Sequence, residues 1–251
     1  MKKKLLTLAL LAMTAGATFV GCKEDHKSTR MVSGFFTVAG DVNSGYTFYQ
    51  DYGGIVKPNM PELLSLIGKD GFVEDRIIGN FTFYDEDVKD VAGGKVIENA
   101  KFVSGEYMIS WDAMAKGLAD SKGVTLADSI FSVSRVTELW CYRGFLNVLS
   151  YAPVSVKDNK IITPTYSLVY DPTSIVPNRL ELFLYYNRHS SMETNAGPIY
   201  DTYNSFSISE LASLIPGNDS VEVTVRVKGA ELKPFKVGRK DFRRGDYEPY
   251  K

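Results

Sequence analysis

The sequence predicts an all-β protein built as two units, a small β-barrel followed by an antiparallel β-sandwich. Three observations carry that expectation. Aromatic residues are abundant, with 15 Tyr, 14 Phe and 2 Trp, and together with many Val and Thr they favour pleated, half-buried surfaces. Short apolar runs alternate with polar residues and are punctuated by Gly, Pro and Asp turns. Hydrophobic residues make up 44% and charged residues 24% of the 251-residue chain, a balance that fills a core and argues against a mainly disordered protein.

Ahead of both units stands an export signal. Lys2, Lys3 and Lys4 precede an apolar stretch over residues 5–20, shorter than the roughly 20 residues a spanning helix needs. The stretch ends in Phe19-Val20-Gly21-Cys22. That end resembles a lipobox, in which Cys22 is acylated and becomes the first residue of the mature chain. Residues 1–21 are then a lipoprotein signal peptide and 22–30 a polar tether, and several acyl chains give stable anchoring to a membrane. Losing three lysines takes the formal net charge from −1 to −4. Neither value offers the basic face that nucleic acid requires. Lys23, Glu24 and Asp25 resemble the tag that sends Bacteroidota lipoproteins to the outer face of the outer membrane. A protein facing the periplasm is the alternative.

The first unit is expected over residues 31–124. Residues 31–40 and 45–52 read as strands, the second alternating Tyr46, Phe48 and other aromatics with polar residues before Gly53-Gly54. Residues 57–61 read as a loop and 62–67 as a short helical turn. Residues 76–84 are a strong strand that turns outward at Asp85-Glu86-Asp87. Residues 95–110 hold one or two strands with a bend at Gly105. About five strands in this space suit a small closed barrel of OB type, and half of a sandwich fits the pattern almost as well. Residues 111–121 have helix-compatible composition.

The second unit is expected over residues 125–251. Runs at 130–136, 138–143 and 145–152 read as strands, with Arg143-Gly144 as the hairpin turn between the last two. Residues 161–171 form another. In 179–188, Leu180, Leu182 and Leu184 fall in step on one face. A short strand at 204–208 precedes a helical turn that Ser209 is placed to cap. Residues 219–228 alternate Val221, Val223, Val225 and Val227 with polar residues, the pattern of a half-buried strand. Residues 236–251 read as an edge strand and tail. Strands of this kind at this density suit a sandwich.

The strand order resembles that of NigD-like proteins. The residues that carry the resemblance are Thr137-Glu138-Leu139-Trp140 with Phe145-Leu146-Asn147-Val148, the run 179–187, Phe206-Ser207-Ile208 and the run 219–227, after a lipoprotein start and a Gly-Tyr-Thr-Phe-Tyr strand. The resemblance implies an envelope lipoprotein with an N-terminal OB-like domain and a C-terminal β-sandwich domain. It carries no catalytic signature.

The chemistry inventory points away from catalysis. The sequence has no His-Glu-x-x-His, Gly-x-Ser-x-Gly, P-loop or Gly-x-Gly-x-x-Gly motif. Two Cys give no disulfide framework or Cys-rich zinc site. With Cys22 lipidated, Cys141 stands alone among aromatics as a buried apolar residue. His26 lies in the tether and His189 beside Ser190-Ser191, without an orienting partner that the sequence identifies. The Asp85–Asp87 carboxylates are too close in sequence for a calcium loop and read as a solvated turn. No catalytic residue, metal ligand or cofactor is therefore expected. Tyr46, Phe48, Tyr49 and Tyr52 are the candidates for stacking on a ligand, with the filling of a small core as the competing reading. Asp128-Ser129-Ile130 and Asp219-Ser220-Val221 resemble the O-glycosylation signal of Bacteroidota, which makes Ser129 and Ser220 candidate acceptors. The function expected is a non-enzymatic accessory or adhesion module that binds a glycan or an envelope partner. A structural or assembly lipoprotein without a small-molecule ligand is the alternative, and a glycan-active hydrolase the third reading.

Overall fold

A computed structural model describes residues 28–91, 94–124, 135–162, 164–187, 198–215, 220–227 and 232–242. The signal peptide, Cys22, the tag Lys23, Glu24 and Asp25, both His and Ser129 lie outside these residues.

Thr29–Asp41 (β1) and Gly45–Gln50 (β2) form an antiparallel hairpin. Asp41 holds its turn by accepting hydrogen bonds from the amides of Ser44 and Asn43 at 2.8 and 2.7 Å. The same bonds keep the Asp41 carboxyl below its ordinary range. Ile55–Pro58 (β3) follows and leads into the helix Met60–Ile67 (α1). Asn59 caps this helix by accepting from the Glu62 amide at 3.2 Å, and Pro61 sits in the first turn, where no amide is needed. Arg76–Tyr84 (β4), Val88–Val91 (β5) and Gly94–Tyr107 (β6) complete the unit.

The sheet closes on itself. β1 pairs with β2 and β4, β4 with β6, and β2 with β3; the parallel pairing of β3 with β6 completes a five-stranded barrel of OB type, with β5 added outside β6. The expected loop at 57–61 begins as part of β3. Pro58 is tolerated there because it lies at a register shift, where the ladder skips a residue. A second register shift falls opposite Asn80 and Phe81, between Phe102 and Ser104, so the irregularity in β6 is at Val103, two residues before the expected Gly105. The barrel interior is a cluster of rings. Phe36, Phe48 and Phe81 are fully buried, and Phe36 meets Phe81 edge-on at 5.1 Å between centroids.

The sandwich has two sheets. Ile109–Asp112 (β7), Met114–Ala115 (β8) and the helix Lys116–Ser121 (α2) come first. They are followed by Arg135–Tyr142 (β9), Phe145–Pro153 (β10), a small hairpin of Ser155–Lys157 (β11) and Lys160–Ile162 (β12), and Thr165–Tyr170 (β13). Arg179–Asn187 (β14), Ile199–Ser207 (β15), the helical turn Leu211–Leu214 (α3), Ser220–Val227 (β16) and Phe235–Gly238 (β17) complete the order. One sheet runs β7-β15-β10-β9 and the other β17-β16-β14-β13-β8. Leu146, Val148 and Phe206 of the first sheet meet Leu180, Leu182, Leu184 and the four valines of β16 in one apolar core.

Several expectations need correction. The sandwich is mixed, because β7 with β15, β8 with β13 and β14 with β16 are parallel pairs. The stretch 111–121 is helical only from Lys116; Trp111 and Asp112 are strand, since pairing with Phe206 and Ser207 outweighs local helix propensity. These strands precede residue 125 and yet join sheets of the second half. The run 161–171 is split into two strands, β12 and β13. Ser209 does not cap α3, whose N-cap is Glu210 in helical conformation; the Ser209 hydroxyl lies 3.4 Å from that of Ser207 instead. The Arg143-Gly144 hairpin stands as expected, with φ of 45° and 80° at its two residues, a combination that a Gly in second place makes inexpensive.

Candidate functional site at the junction of barrel and sandwich

β10 explains how the two units meet. Its even residues Leu146, Val148 and Ala152 enter the sandwich core. Its odd residues Phe145 and Asn147 are just as buried, but they face the barrel. The outer face of the β7-β15-β10-β9 sheet is thus covered by the wall of the barrel, made here by β1, the end of β2 and the start of β4.

Arg76 stands at the centre of this contact and has no exposed surface. Strand alternation sends its neighbour Ile77 into the barrel core and Arg76 outward. All five guanidinium donors are engaged. Nη1 donates to Thr37 Oγ1 at 2.8 Å and Asp51 Oδ1 at 2.7 Å. Nη2 donates to Asp51 Oδ2 at 2.6 Å and Asn147 Oδ1 at 2.9 Å. Nε donates to Ser205 Oγ at 3.3 Å, and the Phe145 ring lies 5.3 Å from the guanidinium carbon. Ser205 in turn donates to Asn147 Oδ1. Asp51 also accepts from Trp140 Nε1 at 2.8 Å. A buried ion pair adds little net stability over apolar packing, but an unpaired partner left behind is costly, so the network fixes how barrel and sandwich sit.

Aromatic contacts flank the network. Phe35 packs on Trp140 at 4.9 Å and on Tyr203 at 5.7 Å between centroids. Arg143 lies 4.5 Å over the Tyr49 ring. Tyr52 packs on Tyr142 at 5.1 Å, and its hydroxyl donates to the Cys141 carbonyl at 3.2 Å.

This placement revises the candidate stacking residues. Tyr46 and Phe48 are buried in the barrel core, and Tyr49 is buried under Arg143. None of these three has a ring face open to a ligand. For Tyr46 and Phe48 the reason is the barrel's small circumference, which leaves bulky rings to fill its interior. Tyr52 alone is exposed, at 71%. Cys141 is buried in the sandwich core, and burial pushes its thiol well above the ordinary range, the state of an inert cysteine. Ser220 is exposed at the start of β16 beside a shallow surface groove. Asp85 of the acidic turn pairs with Arg30, and Asp87 accepts from the Tyr84 amide at 3.0 Å. No group of three or more His, Cys, Asp or Glu side chains suited to a metal ion occurs among the described residues. No helix among them is long and apolar enough to cross a membrane.

A cleft of about 190 Å³ opens beside the network. The barrel contributes Ile78, Glu106 and Tyr107, and β15 contributes Asp201 to Asn204. Burial pushes the Tyr203 phenol up, and the nearby Asp201, Glu138 and Glu106 carboxylates add to that. The sequence reading missed both the network and the cleft. One signal was available: Phe145-Leu146-Asn147-Val148 is a near-continuous apolar run, the pattern of a strand covered on both faces.

No protein-family model matches the chain, and no curated protein matches it in sequence. Solved structures do match it. A protein described as a lipoprotein, from Bacteroides fragilis, is 12% identical, with 84% of this chain and 98% of that one covered at a TM-score of 0.56. A protein described as toxin-related, from Parabacteroides distasonis, is 17% identical, with 84% and 96% covered at a TM-score of 0.55. A NigD-like immunity protein from Bacteroides caccae is also among the matches, 14% identical with 85% and 94% covered at a TM-score of 0.49. The chain is thus similar in fold to the Bacteroides fragilis and Parabacteroides distasonis proteins, across barrel and sandwich together.

Proposed function

We propose that the chain is a non-enzymatic outer-membrane lipoprotein of NigD-like type, anchored through Cys22, and that it serves as an accessory or adhesion module binding a glycan or an envelope partner. The observation that carries the binding reading is the junction. A fully satisfied, buried Arg76 network fixes two β-units against each other and leaves a cleft between them that is lined by tyrosines, hydrocarbon and a few polar groups. The anchor rests on Cys22 after the apolar segment, and the fold likeness to a protein described as a lipoprotein supports it. Lys23-Glu24-Asp25 supports display on the cell surface.

A structural or assembly role is the second reading, favoured by the burial of Tyr46, Phe48 and Tyr49 in places where they hold the fold together. Two experiments test the proposal. Cys22→Ala is expected to abolish labelling by palmitate and to move the protein from the membrane fraction to the soluble one; unchanged membrane partition contradicts the anchor. External protease on intact cells is expected to digest the protein while a periplasmic control survives. Protection that ends only on lysis supports the periplasm-facing assembly role.

A further inference from the structure

We propose that the cleft between barrel and sandwich is a subsite for one neutral sugar ring; this deepens the binding reading above and rests on it. Size comes first. At about 190 Å³ the cleft is smaller than the roughly 300–1,000 Å³ of pockets for drug-sized ligands, and it suits a single small ring.

The floor supplies a fixed donor. Asn204 is 2% exposed and lines the cleft. Its Oδ1 accepts from Trp111 Nε1 at 3.3 Å, and because an indole only donates, the amide cannot be turned the other way round. Nδ2 is left buried with no hydrogen-bond partner. The Tyr166 phenol, whose hydroxyl lies 2.8 Å from Thr202 Oγ1, feels the amide; its oxygen can engage at most one of the two Nδ2 hydrogens and leaves the other without an acceptor. A buried amide donor left unsatisfied is costly, and a ligand oxygen would satisfy it.

The rim supplies acceptors and an apolar wall. Glu106 and Asp201 are exposed carboxylates on opposite units. Tyr107, Ile109 and Tyr203 present rings and hydrocarbon between them. An anion is disfavoured by the two carboxylates. A simple cation has no use for the amide donor. A neutral ring of several hydroxyls uses all three features: it donates to the carboxylates, accepts from Asn204 and lays its C–H face on the tyrosines. The subsite lies at the ends of β4 and β6, away from the β2–β3 face and loops through which OB barrels bind oligosaccharides.

The test is a titration of the full chain in detergent with methyl glycosides of glucose, galactose, mannose and N-acetylglucosamine, read by saturation-transfer NMR. At least one is expected to bind, and Glu106→Gln, Asp201→Asn and Tyr107→Ala are each expected to weaken it about tenfold, as loss of a charge-assisted hydrogen bond or a ring contact does. These side chains are exposed, so folding survives, and Tyr84→Ala on the barrel surface is expected to leave binding unchanged. Glycoside binding that the cleft variants leave intact overturns the subsite while the binding-module reading stands. No glycoside binding, with crosslinking to an envelope protein, overturns the sugar and favours the assembly role. Preference of the cleft for a lysine-rich peptide over every glycoside also overturns it.

Discussion

The two faces of β10 are buried alike but by opposite chemistry. On one face, Leu146 and Val148 join Leu182, Val223 and Phe206 in a core held by hydrocarbon alone. On the other, Asn147 joins Ser205, Thr37, Asp51 and Arg76 in a core held by a charge and its hydrogen bonds. The apolar face tolerates many arrangements of about the right volume, because dispersion and water exclusion have no direction. The polar face tolerates few, because each guanidinium donor must meet its acceptor at the right angle. Apolar burial therefore supplies most of the stability, and the polar junction supplies the one arrangement in which the two units sit. A cleft shaped by residues from both units needs the second as much as the first.

Asp51→Ala breaks the comparison most sharply. It strands Arg76 in the junction without its carboxylate, and the expected cost is about 3–5 kcal/mol by denaturant titration, with barrel and sandwich no longer unfolding together. Leu182→Ala strikes the apolar face instead. It should cost about 2–5 kcal/mol through the cavity it leaves, with the unfolding transition still single. Trp140→Phe keeps the ring contact with Phe35 and removes the hydrogen bond to Asp51; about 1.5–3 kcal/mol is expected in the same titration, the worth of one bond to a charged group.

Asp171 lies outside both faces and sets the lower end of the scale. Bonds from the Thr173 hydroxyl and amide hold its carboxyl below the ordinary range. The stability it confers is present above the unfolded carboxylate value and is lost as pH falls through the lowered folded one. Asp171→Asn should thus show a small deficit in denaturant midpoint at neutral pH that shrinks on acidification, and a deficit that grows in acid contradicts this account of the turn.

What was legible in the sequence follows the same division. Leu180, Leu182 and Leu184, and the valines of β16, repeat every second residue, and period two is the direct imprint of a face that meets hydrocarbon. The barrel strands at 31–40, 45–52 and 76–84 are legible for the same reason. Arg76 carries no such imprint, since a cation opening a strand is an ordinary surface residue. Its partner Ser205 lies 129 positions away, and Thr37, Asp51 and Asn147 are each unremarkable polar residues near strand ends or within strands. Trp111 was misread because its neighbours favour a helix, whereas the edge of β15 offers it a strand partner. The aromatics of β2 were legible as a pattern, with Tyr46 and Phe48 on one face and Tyr49 on the other, but the covering of Tyr49 depended on Arg143 of the second unit.

Native-state hydrogen exchange on the full chain tests the central claim, that the Arg76 network locks barrel and sandwich into one unit. Amides of β1 and β4 in the barrel and of β10 and β15 in the sandwich are expected to open with the same free energy in the wild type and to separate in Asp51→Ala. Barrel amides that open independently of the sandwich in the wild type, with no change in the variant, would contradict it.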